Sequence, residues 1–313
     1  MVFLFLHFVS FKITILGASG AVPAYGRFPS SQLVEIQNEY FLVDCGEGAQ
    51  MQLMRFDCSW HRINHILISH LHGDHFLGLM GLIFTMHLNH RSNNLHIYSH
   101  RGLDEIITAQ LKYSRSVPRF NLIFHRLTPG LEELIYENSN LTVTTIPLKH
   151  KLDCSGFLFR EKKKPRRIDK DRMPVDLSLQ QLAGLKKGED VLNQDGSIRY
   201  RNSELTLSPH KSRSYAYCSD TAYSGHLATV VNKVDLLYHE ATFMEEEKEK
   251  AIETLHATAR EAAQIAKLAS AGKLLIGHYS ARYKELGPLL TEAQSIFANT
   301  SLAVEGETIS LSE

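Results

Sequence analysis

The sequence predicts an α/β protein in which two β-sheets pack face to face and helices cover their outer faces. Three observations carry this expectation. Short runs rich in Val, Ile, Leu, Phe and Tyr, bounded by Gly, Asp, Asn or Ser, crowd the first half of the chain. In the second half such runs alternate with segments of helical periodicity. The densest group of metal-ligating side chains, residues 69–75, falls where an apolar run gives way to a helical pattern. Sheets layered against each other and flanked by helices satisfy all three.

In chain order, strands are expected at Phe11–Leu16, Gln32–Ile36, Tyr40–Val43, His65–Ile68, Leu95–Tyr98, Leu141–Ile146 and Ser155–Phe159. Later ones are expected at Ser214–Cys218, Leu236–His239, Lys273–Ile276 and Thr308–Leu311. Helices are expected around Leu77–Leu88, Leu103–Ser114, Ala257–Ala269 and Leu286–Phe297, where apolar residues recur at three- and four-residue spacing. Arg160–Arg213 differs in character. It gathers Lys162, Lys163, Lys164, Arg166, Arg167, Lys170 and Arg172, then Lys186, Lys187 and a polar tract, and reads as an insertion between two core strands. A solvated surface loop and a functional appendage both fit that composition.

The chain has 313 residues, enough for two domains or one large one at about 150 residues per domain. Hydrophobic residues make up 43% and charged residues 22%, which excludes a disordered or fibrous chain. Thirty-four basic residues balance thirty-four acidic ones, so nucleic-acid binding would need a local patch. Cys45, Cys58, Cys154 and Cys218 form no CxxC pair, against both a disulfide framework and cysteine-ligated zinc. The apolar start, Met1–Ser10, lacks a basic flank and is too short to span a bilayer, and no stretch approaches the roughly 20 apolar residues of a membrane helix. A soluble, cytoplasmic protein with no membrane partner is expected.

Histidine is over-represented, at seventeen residues. The run Ser69-His70-Leu71-His72-Gly73-Asp74-His75 follows an apolar strand. In an extended segment, residues two apart face one side, so His70 and His72 can reach one cation. If the chain then turns into a helix, Asp74 and His75 can point to a second. Imidazole with carboxylate suits zinc, with manganese or iron as competitors. His150, Asp220 and His278 each follow an expected strand, and alone each also reads as an ordinary polar residue. Together they complete two open coordination spheres if Asp220 bridges both ions.

The HxHxDH stretch with later His, Asp and His at strand ends resembles the metallo-β-lactamase superfamily. Asp44-Cys45-Gly46-Glu47-Gly48, the extension Phe76-Leu77-Gly78-Leu79, His239-Glu240-Ala241-Thr242-Phe243, His256-Ala257-Thr258 and His278-Tyr279-Ser280-Ala281-Arg282-Tyr283 narrow the resemblance to ribonuclease Z, from about Phe11 to the C-terminus. That resemblance implies one metallo-β-lactamase αββα sandwich over residues 1–313, with 160–213 as a protruding flexible arm that serves as an RNA-binding exosite. It implies two zinc ions per chain, other divalent ions such as manganese being possible substitutes. His70, His72 and His150 would hold one, Asp74, His75 and His278 the other, and Asp220 would bridge. It also implies that Asp74 accepts the proton of the attacking water, and that Glu240 and His256 help protonate the leaving 3′-oxygen. Arg282 would meet a phosphate or form a salt bridge.

The implied activity is endonucleolytic removal of the 3′ trailer from precursor tRNA, leaving a 3′-hydroxyl on the tRNA and a 5′-phosphate on the trailer. A homodimer is implied too. A hydrolase of small phosphodiesters or sulfate esters on the same fold is the alternative, and a non-catalytic scaffold a third. The sequence departs from the family pattern at Ile15–Gly20, at Ala257, and at Met173–Gln180, where a Gly-Pro-rich arm tip is missing.

Overall fold

The computed structural model describes residues 10–312; Met1–Val9, most of the apolar leader, lies outside them. The chain lays down β1 (Phe11–Gly17), β2 (Ser31–Ile36) and β3 (Glu39–Cys45) as an antiparallel meander. It continues through β4 (His65–Leu67), β5 (Leu95–Ser99) and β6 (Leu122–Arg126), all parallel to β3. Helices α1 (Ala49–Arg55), α2 (Gly73–Phe76), α3 (Leu79–Leu88) and α4 (Leu103–Tyr113) connect them. The second sheet begins with the antiparallel β7 (Leu134–Glu137), β8 (Leu141–Pro147) and β9 (Ser155–Glu161).

The inserted segment then forms β10 (Arg167–Ile168), α5 (Leu179–Lys187), β11 (Val191–Leu192), β12 (Ile198–Tyr200), α6 (Asn202–Leu205) and β13 (Thr206–Leu207). The chain re-enters the second sheet with β14 (Ser214–Cys218), followed by α7 (Leu227–Val230), β15 (Leu236–Glu240), α8 (Lys248–Thr254), α9 (Ala259–Leu268), β16 (Lys273–Gly277), α10 (Gly287–Gln294) and β17 (Thr300–Leu302). Finally β18 (Thr308–Ser310) returns to the first sheet. The sheet orders are β18-β1-β2-β3-β4-β5-β6 and β17-β16-β15-β14-β9-β8-β7.

Alternate residues of one strand serve two cores. Phe41 and Val43 of β3 face the opposite sheet and meet the layer containing Phe157, Phe159 and Tyr215. Tyr40 and Leu42 face outward, beneath the helices that contribute Leu53, Leu82 and Ile107. With both faces covered, β3 has no polar alternation and reads as one apolar run. On the second sheet α9 packs closely because its buried face is mostly alanine: Ala259, Ala262, Ala263 and Ala266. Thr258 starts that helix with a reciprocal cap, its hydroxyl accepting from the Glu261 N–H at 3.1 Å and its own N–H donating to Glu261 at 3.0 Å. Such a cap contributes about 1 kcal/mol.

The parallel sets β3–β6 and β14–β17 bring their C-terminal ends to one edge of the sandwich. Loops leaving that edge carry the site, as open α/β sheets favour. The insertion leaves from the opposite edge, between β9 and β14. Where the sequence shows a charged stretch, the structure shows a small folded unit. Leu185, Val191 and Leu205 form its core, and Ser178 and Gln181 cap α5 reciprocally.

Its root is a buried ion pair. Arg213 donates to Glu161 through Nε (3.0 Å) and Nη2, and Gln37 Nε2 adds a bond of 3.0 Å. Burial raises the Glu161 pKa, but hydrogen bonds and charge from Arg213 outweigh it and bring the carboxyl down to about 2. A depressed carboxyl pKa stabilises the fold above its ordinary value of 4.5 and loses that contribution as pH falls toward 2. Glu161→Gln, which leaves Arg213 without its counter-charge, should cost about 3 kcal/mol at neutral pH. The gap between variant and wild type in thermal melts should narrow as pH falls below 4.5. A pH-independent gap would mean that charge is not the cause.

Candidate active site

β4 ends at Leu67, and the extended residues after it swing the histidine loop over the edge of the sandwich until α2 begins at Gly73. His72 stays extended (φ −74°, ψ 147°). His70 Nε2 lies 2.9 Å from His72 Nδ1, and His150 Nε2, beyond β8, lies 3.2 Å from the same atom. Asp220, just after β14, directs Oδ2 to this trio, 3.5 Å from His70 and 3.8 Å from His150. Its Oδ1 faces the other group, 3.1 Å from His278 Nε2 and 3.4 Å from His75 Nε2. Asp74 Oδ2 completes that group, 3.3 Å from both histidines. All seven residues expected to be ligands therefore converge, with one Asp220 oxygen turned to each set.

The residues fit divalent ions. Lone pairs of three imidazoles crowd together where protons could satisfy only some of them, and the buried His75 Nε2 has no hydrogen-bond partner among the described residues. Burial opposes a charged ring at His75, yet Asp220, Asp74 and Asp44 outweigh it, so the pocket favours positive charge there. At Asp74, burial raises the pKa, but His75 and His278 hold the carboxyl well below the usual range. Five imidazoles and two carboxylates form a donor set suited to zinc or a similar ion.

Around these residues lies a supporting set. Asp44, at the end of β3, accepts at Oδ2 from His75 Nδ1 (2.8 Å), Tyr217 Oη (2.7 Å) and Ser69 Oγ (2.9 Å), and at Oδ1 from the Ser69 N–H (2.7 Å). Fixing Nδ1 turns Nε2 of His75 toward the centre, the usual way a carboxylate orients a metal-binding imidazole. His150 is oriented likewise by the Leu255 carbonyl, 3.0 Å from its Nδ1. Sequence reasoning missed the orienting role of Asp44. Its position in the Asp44–Gly48 motif was the available signal, but nothing in the sequence ties it to His75.

Glu240 ends β15, fully buried, with Oε1 2.9 Å from His256 Nδ1. The Thr221 N–H donates to Oε1 (2.6 Å) and the Ala257 N–H to Oε2 (3.1 Å). Burial disfavours charge on His256, but Glu240 outweighs it and raises the ring to about 9. The His256 ring stacks 5.5 Å from His278 and lies 5.0 Å from His150, so it borders the ligand cluster. His72, Asp74, His150, Asp220, His256 and His278 open on one cleft of about 460 Å³. Arg282 is exposed and does not line that cleft.

The sandwich and its edge cluster of His and Asp define the class: a metal-dependent hydrolase of the metallo-β-lactamase fold. Comparisons narrow it. The chain is 48% identical over 305 residues to ribonuclease Z of Cytophaga hutchinsonii, covering 97% of each chain. It is 44% identical over 302 residues to that of Bacteroides fragilis, covering 96% of this chain and 99% of the relative. It belongs to the ribonuclease Z family. Human tRNase Z, short form, superposes with a TM-score of 0.70 at 26% identity, covering 96% of this chain and 100% of that one. The metallo-β-lactamase-fold protein YhfI of Bacillus subtilis shares the fold, with TM-score 0.68, 20% identity and coverage of 96% and 99%. A family model described as anti-Pycsar protein Apyc1 matches residues 11–165.

Proposed function

We propose that this chain is the metal-dependent endoribonuclease that removes the 3′ trailer from precursor tRNA. The observation that carries the reading is the double-faced Asp220 between two ligand groups, with the Glu240–His256 pair beside it. His70, His72 and His150 would hold one zinc ion, Asp74, His75 and His278 a second, and Asp220 would bridge them. When bound, the ions supply Lewis-acid stabilisation of the phosphodiester and lower the pKa of the attacking water.

The chain's own groups handle the protons. Asp74 Oδ2 accepts the Ala21 N–H at 2.7 Å and faces His75 and His278, which leaves Oδ1 to take the proton of the attacking water. Glu240 holds Nδ1 of His256, so Nε2 is the atom that delivers a proton to the leaving 3′-oxygen. The products are a tRNA ending in a 3′-hydroxyl and a trailer with a 5′-phosphate. The enzyme works in the cytoplasm, where its substrate is made, as a homodimer. No helix among the described residues is long and apolar enough to cross a membrane. Elemental analysis should find two zinc ions per chain, and chelation should abolish precursor cleavage; full activity after complete metal removal would overturn the reading.

Residues 160–213 act as the RNA-binding exosite of the single domain. A groove at the arm root is lined by Lys163, Lys170 and Lys186 together with Leu179 and Leu182. Lys162 and Lys164 in the same groove are engaged by Glu137 (2.6 Å) and Glu161 (3.2 Å). Lys163, Lys170 and Lys186 have no such carboxylate partner among the described residues, so they are the better probes. Changing these three to alanine should weaken precursor binding and lower the slope of log K against log salt by about 0.7–0.9 per lost phosphate contact. An unchanged slope would make the groove an ordinary solvated surface.

A further inference from the structure

A second pocket, of about 440 Å³, opens on the same edge of the sandwich, between the C-terminal ends of β5 and β6 and the start of α4. Arg101, Arg126, Asp104, Glu105, Phe124 and His100 line it. Gly102, the residue before α4, is in a left-handed conformation (φ 109°), and the first turn of the helix carries Asp104 and Glu105 with no side-chain cap. His100 is only 4% exposed; its Nε2 is 3.1 Å from Ser155 Oγ, and its Nδ1 has no hydrogen-bond partner among the described residues. The pocket adjoins the ligand loop. A Cβ on Gly102 would lie 3.5 Å from Leu71, the residue between His70 and His72, and the Ser155 N–H donates to the Ser69 carbonyl at 3.0 Å.

We propose that this pocket binds a ribonucleotide of the RNA on the trailer side of the cut, an inference that rests on the tRNA-processing reading above. Arg101 and Arg126 take the phosphate, a carboxylate of Asp104 or Glu105 on the first turn of α4 accepts from the ribose 2′-hydroxyl, and Phe124 offers an apolar face to the base. A site with cations alone would fit any anion; paired carboxylates and an aromatic ring suit a whole nucleotide. The direction follows from the order of elements along the edge. His256 and His278 lie by β15 and β16, Asp220 follows β14, and the histidine loop follows β4. The bond from His100 to Ser155 places the end of β5 beside the start of β9, on the far side of the ligand loop from His256. His256 faces the leaving oxygen, which stays with the tRNA. The other ester oxygen, and the trailer it carries, extends away from His256 toward β5 and β6.

The test is binding of a 5′-phosphorylated oligoribonucleotide, the trailer product, to zinc-loaded wild type and to Arg101→Ala/Arg126→Ala, measured by fluorescence anisotropy. Both arginines are exposed, so the variant should melt as wild type does. Affinity should fall about tenfold in the variant, and an oligodeoxyribonucleotide of the same sequence should bind wild type more weakly. In turnover, the KM of wild type should fall as the trailer of a precursor lengthens, and the KM of the variant should stay flat. Equal affinity of wild type and variant for the oligoribonucleotide would overturn the pocket. An equal KM rise at every trailer length would overturn it too, by marking a general surface charge effect. Failure of wild type to cut any precursor would instead overturn the tRNA reading, while the binding comparison would still decide the pocket.

Discussion

Asp74→Asn should reduce precursor cleavage by roughly 10³–10⁴-fold, the upper range for loss of a positioned proton acceptor. One oxygen of Asp74 is committed: Oδ2 takes the Ala21 N–H and faces His75 and His278. Asparagine can keep an oxygen in that place, but its other terminus is an amide nitrogen that cannot take a proton. The fold should survive, because the side chain lies on the short helix α2 at the edge of the sandwich and outside both large cores. Single-turnover cleavage, with zinc content measured on the same sample, checks this. Cleavage within about tenfold of wild type would remove Asp74 from the proton-transfer role.

His256→Ala should slow cleavage by about 10²-fold while both ions stay bound. The ring borders His150 and His278, but its Nδ1 is spoken for by Glu240 at 2.9 Å. A 3′-sulfur leaving group departs without help from an acid, so a precursor with a 3′-phosphorothiolate at the cut should recover most of the lost rate in the variant. No recovery would mean that His256 does not deliver the proton. Loss of metal would assign it instead to holding His150 and His278 in place.

Much of this was legible because strand ends and candidate ligands coincide in the sequence. His70, His72, Asp74 and His75 are local, and His150, Asp220 and His278 each follow an apolar run that forms a strand. Other parts were hidden for physical reasons. β7, a four-residue strand at the sheet edge reading Leu-Ile-Tyr-Glu, is too short to show alternation, and β6 reads Leu-Ile-Phe-His-Arg with no period of two. α1 is preceded by Gly48 in a left-handed conformation (φ 80°) with no side-chain cap, so no start signal precedes it. α5 did carry one, Ser178 with Gln181 three residues later, but the surrounding charge run obscured it. The arm core could not be read at all, since Leu185, Val191 and Leu205 meet only when the insertion folds. Asp44 is a similar case: it reaches His75 across 31 residues of sequence through a sheet register that no local pattern encodes.

The central claim is that one edge-of-sandwich centre cuts precursor tRNA with protons moved by Asp74 on one side and His256 on the other. Its most direct test is cleavage of a 3′-extended precursor tRNA by the zinc-loaded protein, with both product ends mapped. The account predicts one cut at the junction between the tRNA and its trailer, leaving a 3′-hydroxyl on the tRNA and a 5′-phosphate on the trailer. A 3′-phosphate on the tRNA would contradict it, because the proton from His256 would then have gone to the wrong oxygen.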